Sequence, residues 1–253
     1  MVKKIQLFSF LLLLFTTSVG QKAVLADTTD THMKYQSGGE TTVKPLDPLL
    51  PDPLKPVVPV DPTNPAGPME GTGGSLSFDF ASSFQFGSQA ISTKDETYYA
   101  LPQEYTDFDG TKKKGPNYVQ VTDVRGTGSG WQLSVKQNGQ FQTAEAQKLA
   151  GAELWLKNGE MISTLPDSYA PSAKETIEMP LDSEVNVITA NNEEGIGTWL
   201  YRFGSDETSG GRSVQLNVPG RSVKYAKKIS NFPNMEFKRC TLRKPKNFIT
   251  RRT

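Results

Sequence analysis

Residues 126–135 read GTGSGWQLSV and carry the clearest fold signal in the chain. After a glycine-rich turn, Trp131, Leu133 and Val135 alternate with polar residues. Side chains of a β-strand point alternately to its two faces, so this pattern predicts a strand with one buried face. The three apolar residues are typical of a sheet core, and their spacing by itself specifies no ligand.

The same period of two recurs after residue 74, where short apolar runs are separated by turns. The alternating residues are Leu76, Phe78 and Phe80; Val119 and Val121; Leu154 and Leu156; Val185 and Val187; Trp199, Tyr201 and Phe203; and Val214, Leu216 and Val218. Asn138-Gly139 and Asn158-Gly159 predict hairpin turns, because both residue types tolerate positive φ. No segment has a clear helical period, and residues 209–211 (SGG) are expected to form a mobile loop. The pattern predicts an all-β fold, a single antiparallel β-sandwich or barrel-like domain.

The first 26 residues have the features of a secretory signal peptide. Lys3 and Lys4 precede an almost wholly apolar run at residues 7–15, and residues 24–26 (VLA) favour cleavage ahead of Asp27. The run is well below the roughly 20 residues that a membrane-spanning helix needs. We therefore predict export, a signal peptide at residues 1–26 and no membrane span in the mature protein.

Residues 45–74 are predicted to be a linker rich in proline and glycine. From residue 45 to residue 68, proline recurs at every third position apart from one step of two. This spacing matches polyproline II, which would extend the segment by roughly 70 Å as a stalk. Docking of a proline-recognition module is a weaker alternative. Residues 27–44 are polar and without periodicity, and they are predicted to be a disordered lead-in.

Composition and charge limit the functional classes. The chain has 253 residues, one cysteine and a formal net charge of +1. One cysteine excludes an intrachain disulfide, so apolar burial and sheet hydrogen bonds must stabilise the domain. Residues 1–26 carry three basic residues and no acidic one, and residues 229–253 carry seven basic residues and one acidic one. The region between them is therefore net acidic. An acidic body offers no basic patch, so we expect no nucleic-acid partner.

Catalytic residues are scarce in the sequence. His32 is the only histidine and Cys240 the only cysteine. Because His32 belongs to the predicted disordered lead-in, we expect that the chain cannot assemble a Ser/His/Asp triad or a Cys/His nucleophile, and one His with one Cys is too few for a structural zinc site.

Two carboxylate pairs remain formally possible as a glycosidase pair or a calcium site, Asp107 with Asp109 and Glu193 with Glu194. Lysines at positions 112–114 would oppose a cation bound near the first pair, and its spacing departs from calcium loops. We interpret both pairs as solvated turn residues. The protein is accordingly predicted to be non-enzymatic, with no metal or other cofactor.

Five segments of the chain occur in the order found in one known family. They are residues 92–100 (STKDETYYA), 118–123 (YVQVTD), 125–133 (RGTGSGWQL), 195–199 (GIGTW) and 214–220 (VQLNVPG). In these segments the chain resembles the WxL surface proteins of low-GC Gram-positive bacteria. The resemblance implies a domain at residues 75–228 that holds a secreted protein on the cell wall by non-covalent binding to peptidoglycan.

The resemblance makes Trp131, Gln132 and Leu133 the candidate binding residues. Trp131 and Leu133 either contact the wall or pack inside the domain, and the face that they share with Val135 favours packing. The expected location is extracellular and cell wall-associated. The alternative function is a subunit of a surface complex that binds a membrane-anchored partner or another WxL protein. A secreted carbohydrate-active enzyme is disfavoured by the missing catalytic groups.

Trp155 and Trp199 are secondary candidates for the binding surface. Trp155 lies between Leu154 and Leu156 and so points to the opposite face of its strand. An exposed indole there could stack on a sugar, and a second sheet covering it is the alternative.

Residues 229–253 depart from the family pattern. Members of the family end with a second motif, Tyr-x-x-x-Leu-Thr-Trp-x-Leu, which is absent here. Codons exist for residues 229–237 (ISNFPNMEF) that read one base later as Tyr-Gln-Thr-Ser-Leu-Thr-Trp-Asn-Leu. We therefore predict a frameshifted basic tail, with a natural tail for anionic wall polymers as the alternative. The tail is expected to be disordered or irregular, with Cys240 accessible.

Overall fold

A computed structural model describes residues 58–61 and 71–227, and the backbone of residues 235–240. The predicted signal peptide at 1–26, the lead-in at 27–44, much of the linker at 45–74 and most of the tail lie outside the described residues. In the described part of the chain, no helix is long and apolar enough to cross a membrane.

Strands account for most of the regular structure. They are β1 Val58–Pro59, β2 Leu76–Ala81, β3 Glu96–Tyr99, β4 Gln103–Thr106, β5 Lys112–Gly115, β6 Asn117–Asp123, β7 Trp131–Gln137, β8 Glu153–Leu156, β9 Gly159–Ile162, β10 Ser172–Ala173, β11 Ile177–Glu178, β12 Glu184–Ala190, β13 Gly197–Phe203, β14 Val214–Val218 and β15 Met235–Cys240. A 3₁₀ turn lies at Asp167–Tyr169, and a short helix, α1, lies at Glu207–Ser213.

The named strands pair antiparallel in four sheets. The central sheet has the order β2-β6-β13-β9, and the motif sheet has the order β10-β12-β7-β15. The platform sheet has the order β11-β8-β14-β3, and the linker sheet has the order β1-β4-β5. The fold is therefore an all-β, antiparallel sandwich, as predicted from the alternating pattern.

Three of these sheets contribute to one hydrophobic core. Phe78 and Val121 come from the central sheet, Leu133 from the motif sheet, and Leu154 and Leu216 from the platform sheet. A smaller cluster of Phe80, Tyr105, Tyr118 and Leu200 joins the central sheet to β4 of the linker sheet. Both faces of the central sheet are consequently covered.

A bulge in β2 changes one predicted face. Phe78 and Phe80 were expected to share a side of the sheet, but the register shifts between them and they enter different clusters. Asp79 is the extra residue, and its carboxylate accepts hydrogen bonds from Ser77, Gln120 and Thr122. Its burial raises the pKa of this carboxyl, which the three hydrogen bonds partly offset. Alternation alone cannot show such an inserted residue.

The two Asn-Gly dipeptides do not close hairpins. Asn158 and Gly139 do adopt positive φ, at +54° and +78°. However, β7 before Asn138 pairs with β12 and β15 and not with β8, the next strand along the chain. β8 before Asn158 belongs to the platform sheet, whereas β9 after it belongs to the central sheet. The dipeptide therefore turns the chain from one sheet to another. The prediction of hairpins was wrong because the same backbone conformation serves both kinds of turn.

The predicted loop at residues 209–211 lies inside α1. Asp206 caps this helix, because its carboxylate accepts from the Ser209 amide, while the Asp206 amide donates to the Ser209 hydroxyl. Gly210 lies so close to Pro116 that an added Cβ would be 2.7 Å from the proline Cα. The glycine permits close packing here, rather than mobility.

Part of the predicted stalk belongs to the folded domain. Residues 58 and 59 form β1, which pairs with β4, and the Val60 amide donates to the Glu104 carbonyl at 2.8 Å. Gln103 Nε2 donates to the Val60 carbonyl at 2.8 Å. Pro59 takes the position opposite Tyr105, where an antiparallel pair needs no N–H group. An isolated proline between two valines can therefore join a sheet edge, which the polyproline periodicity did not predict.

We expect Val60→Pro to release residues 58–61 from β4, because proline cannot donate the hydrogen bond to Glu104. Hydrogen exchange of the remaining amides in this segment should become faster, with little change in the rest of the domain. Pro59→Ala is the matched control, since it adds an N–H group at a position that faces away from β4. Unchanged exchange in Val60→Pro would contradict the docking of this segment.

The tail contains a strand that was not expected. Residues 235–240 pair antiparallel with β7 over six positions, from Met235 opposite Gln137 to Cys240 opposite Gln132. The expectation of an irregular tail was wrong for these residues. They contain neither proline nor glycine, and β7 would otherwise present unpaired N–H and C=O groups at a sheet edge. The proposed frameshift itself remains a prediction.

Candidate functional site

The strand that carries the Trp-x-Leu motif lies between β12 and β15. Trp131 is 1% exposed, and its indole N–H donates to the Gly195 carbonyl at 2.9 Å. Leu133 is also buried in the main core, whereas Gln132 is partly exposed. In this structure the two apolar residues of the motif pack inside the domain and do not form its surface.

Two glycines near Trp131 occupy positions where no side chain would fit. Gly195 has a φ of +70°, and an added Cβ would lie 2.5 Å from the indole nitrogen. Gly130 has a φ of +67°, and its added Cβ would lie 2.2 Å from the Ala190 carbonyl oxygen. Both positions combine positive φ with a close approach, so glycine is the residue type that fits. Two of the family-like segments, at residues 125–133 and 195–199, therefore meet around one indole.

An arginine fixes the turn that precedes Trp131. The Arg125 guanidinium makes two hydrogen bonds to the Asp123 carboxylate, at 2.9 and 2.7 Å. Its Nη2 atom also donates to the Gly130 carbonyl at 2.7 Å. A bidentate pair of this kind has a defined geometry. The arrangement holds the glycine-rich turn against the end of β6.

The three tryptophans of the sequence differ in exposure. Trp199 is 1% exposed, and its indole N–H donates to the Ile196 carbonyl at 2.9 Å. Trp131 is equally buried. Trp155 is partly exposed, while its neighbours Leu154 and Leu156 are buried. Among the candidate tryptophans, Trp155 is thus the one with a ring accessible to a ligand.

Trp155 lies on the outer face of the platform sheet in a row of three paired residues. Gln215 is opposite Trp155 in the register of β14 and β8, and Tyr99 is opposite Gln215 in the register of β14 and β3. Directly paired residues share a face of a sheet. Tyr99 is 43% exposed. The Lys157 ammonium lies 5.6 Å from the centroid of the Trp155 ring.

A polar row of Glu153, Asn217 and Thr97 runs beside the aromatic row, which is formed by Trp155, Gln215 and Tyr99. Asn217 is paired with Glu153 on one side and with Thr97 on the other. The Thr97 hydroxyl donates to the Asn217 side-chain carbonyl at 2.8 Å. The Trp155 indole N–H donates to the Glu153 carboxylate at 3.5 Å. The two rows therefore form one continuous surface.

The polar row opens into a cavity of about 550 Å³. Besides Thr97, Glu153 and Asn217, its lining includes Asp95 and Arg221. The Asp95 carboxylate accepts from the Gly220 amide at 2.7 Å. This hydrogen bond joins the family-like segments at residues 92–100 and 214–220.

Sequence reasoning missed Tyr99, Gln215 and Asn217 as parts of this surface. Their alternation with buried residues indicates an outward direction, which is visible in the sequence. Their proximity to Trp155 depends on which distant strands pair, and no local pattern specifies that.

The carboxylate pairs considered for catalysis or calcium lie in turns. Lys113 donates a hydrogen bond to Asp107, and this bond holds the pKa of Asp107 below its ordinary value. Asp109 accepts from the hydroxyl and amide of Thr111, which lowers its pKa. The Glu194 carboxylate accepts from the Asn191 amide at 2.8 Å. In the described parts of the chain, no three His, Cys, Asp or Glu side chains are grouped to hold a metal ion.

Comparison with known proteins gives one match. No curated protein and no solved structure matches the chain. The family model of the WxL domain, a surface domain that binds the cell wall, matches residues 23–231. Since this match spans most of the 253 residues, the chain belongs to the WxL family of cell wall-binding surface domains.

Proposed function

We propose that this protein is held on the outside of the cell by non-covalent attachment of its β domain to peptidoglycan. The observation that carries the proposal is the match to the WxL family model, because cell-wall binding is the property of that family. The attachment needs no catalytic step, and we propose a binding module rather than an enzyme.

The folded domain, rather than the segments before it, supplies the binding surface in this proposal. The structure buries the apolar residues of the Trp-x-Leu motif, so the motif acts by building the domain. In this proposal, outward-facing side chains that the domain holds in place recognise the peptidoglycan. The platform sheet presents such groups in a fixed arrangement, with partly exposed aromatic rings beside hydrogen-bonding side chains.

The mature protein is expected to sediment with purified peptidoglycan and to stay bound at 1 M salt. Attraction between exposed charges is screened over about 3 Å at that concentration, so binding by contact survives where electrostatic attraction does not. A peptide of residues 27–57, which lacks the domain, is the control and should remain in solution. Equal binding by the peptide would show that the domain is not the attachment site.

The competing function is a subunit of a surface complex that binds a membrane-anchored partner. The same sedimentation assay with membrane extract separates the two. Binding to membrane extract without binding to peptidoglycan would favour the partner complex and contradict the proposed attachment.

A further inference from the structure

We propose that the outer face of the platform sheet, together with the adjoining cavity, binds a neutral glycan strand built of N-acetylated hexosamines. This inference rests on the proposed attachment to peptidoglycan. It adds the position of the binding surface and the chemical class of the part that is bound.

The aromatic row fits a chain of sugar rings in size and chemistry. Trp155 and Tyr99 are separated by one intervening residue across three paired strands. Two strand spacings place their backbones about 10 Å apart, which is close to the length of a disaccharide unit. The C–H face of a pyranose ring is apolar and packs on an exposed aromatic ring, whereas its hydroxyl groups remain at the edge. Two rings at this separation can therefore support consecutive units of one strand.

The polar row provides partners for the hydroxyl and acetamido groups. Asn217 contributes an amide, Thr97 a hydroxyl and Glu153 a carboxylate, and all three line the cavity beside the aromatic row. Binding sites for small ligands combine apolar contact with a few placed polar groups in this way. The cavity volume of about 550 Å³ is large enough to admit a sugar substituent.

The charges around this surface favour a neutral ligand over a phosphate polymer. Asp95, Glu96 and Glu153 line the cavity with one cation, Arg221. Across the aromatic row, Glu178 is paired with Trp155, and Lys157 is the cation near that ring. Lys224 is a third cation nearby, because its ammonium donates to the carbonyl of Pro219, which also lines the cavity. Four carboxylates thus face three cations, and the remaining net negative charge does not attract a polyanion. Lys157 has a flexible stem, so it can move from the ring when a sugar binds.

Calorimetric titration of the mature protein with N-acetylglucosamine oligomers tests the proposal. Binding should be measurable, and Trp155→Ala and Tyr99→Ala should each weaken it by about tenfold through loss of one stacking surface. Tyr169→Ala is the matched control, because Tyr169 is 41% exposed but belongs to the 3₁₀ turn, where its carbonyl accepts from the Gly195 amide, and not to the platform sheet. Poly(glycerol phosphate), the polyanionic probe, should not bind.

Three calorimetric outcomes would overturn the inference, namely no binding of the oligomers by the wild type, equal affinity of the Trp155→Ala variant and the wild type for the oligomers, or tighter binding of poly(glycerol phosphate). Thermal melting of each variant shows whether the fold is retained. Sedimentation with peptidoglycan separates this inference from the proposed function. If the wild type and both variants sediment equally, attachment stands and this surface is not its site. If oligomers bind but peptidoglycan does not, the glycan site stands and the proposed attachment fails.

Discussion

Replacement of Trp131 by alanine is expected to lower the free energy of unfolding by about 3–5 kcal/mol. The indole is 1% exposed, so its removal leaves a cavity in the main core. It also leaves the Gly195 carbonyl without the N–H donor that it has at 2.9 Å. Urea unfolding followed by circular dichroism measures the change.

Two measurements distinguish a structural role of Trp131 from a direct role in binding. Peptidoglycan binding by the variant should fall only in proportion to the unfolded fraction. Trp155→Ala is the control within the same domain, because removal of a partly exposed ring should change stability by well under half as much. A Trp131→Ala protein with wild-type stability and no peptidoglycan binding would contradict the structural role.

The features that the sequence predicted correctly depend on local alternation. β7 is an example, since Trp131, Leu133 and Val135 point to the core as their spacing indicates. The outward direction of Trp155 follows in the same way from the burial of Leu154 and Leu156. In each case the period of two is uninterrupted across the strand, so position determines the face.

The features that the sequence did not predict depend on distant pairing or on an inserted residue. Asp79 shifts the register of β2, and this separates Phe78 from Phe80. Val60 belongs to a sheet because Glu104 accepts its N–H, a contact between positions that are far apart in the chain. The proposed glycan surface has the same origin, because Tyr99 is placed near Trp155 by the pairing of both β3 and β8 with β14.

The second prediction with a large expected effect concerns the C-terminal tail. The register of β15 against β7 shows which residues the side chains of the shifted frame would face. In the shifted frame, the family-like motif would place a tryptophan at position 235 and a leucine at position 237. These positions are opposite Gln137 and Val135, which are both 1% exposed. Directly paired residues lie on one face, so the restored side chains would join the buried face of β7.

We therefore expect the chain with its frame restored after residue 228 to be more stable than the chain as written, by about 1–2 kcal/mol. The written chain already has apolar residues, Met235 and Phe237, at these two positions. The gain therefore comes from the larger ring at position 235 and from leucine in place of Pro233, which cannot donate a backbone hydrogen bond. A chain ending at residue 228 is the control and should be the least stable, because β7 then loses its ladder to β15 and becomes an open edge.

Urea unfolding of the three chains gives the order of their stabilities, and hydrogen exchange shows which strand opens first. Amides of Met235–Cys240 in the chain as written should exchange faster than those of Trp131–Gln137, since β15 pairs with β7 alone in this sheet, whereas β7 is paired on both sides. Equal protection of the two strands, with equal stability of the written and restored chains, would mean that residues 235–240 already complete the sheet and that the missing motif has no structural consequence.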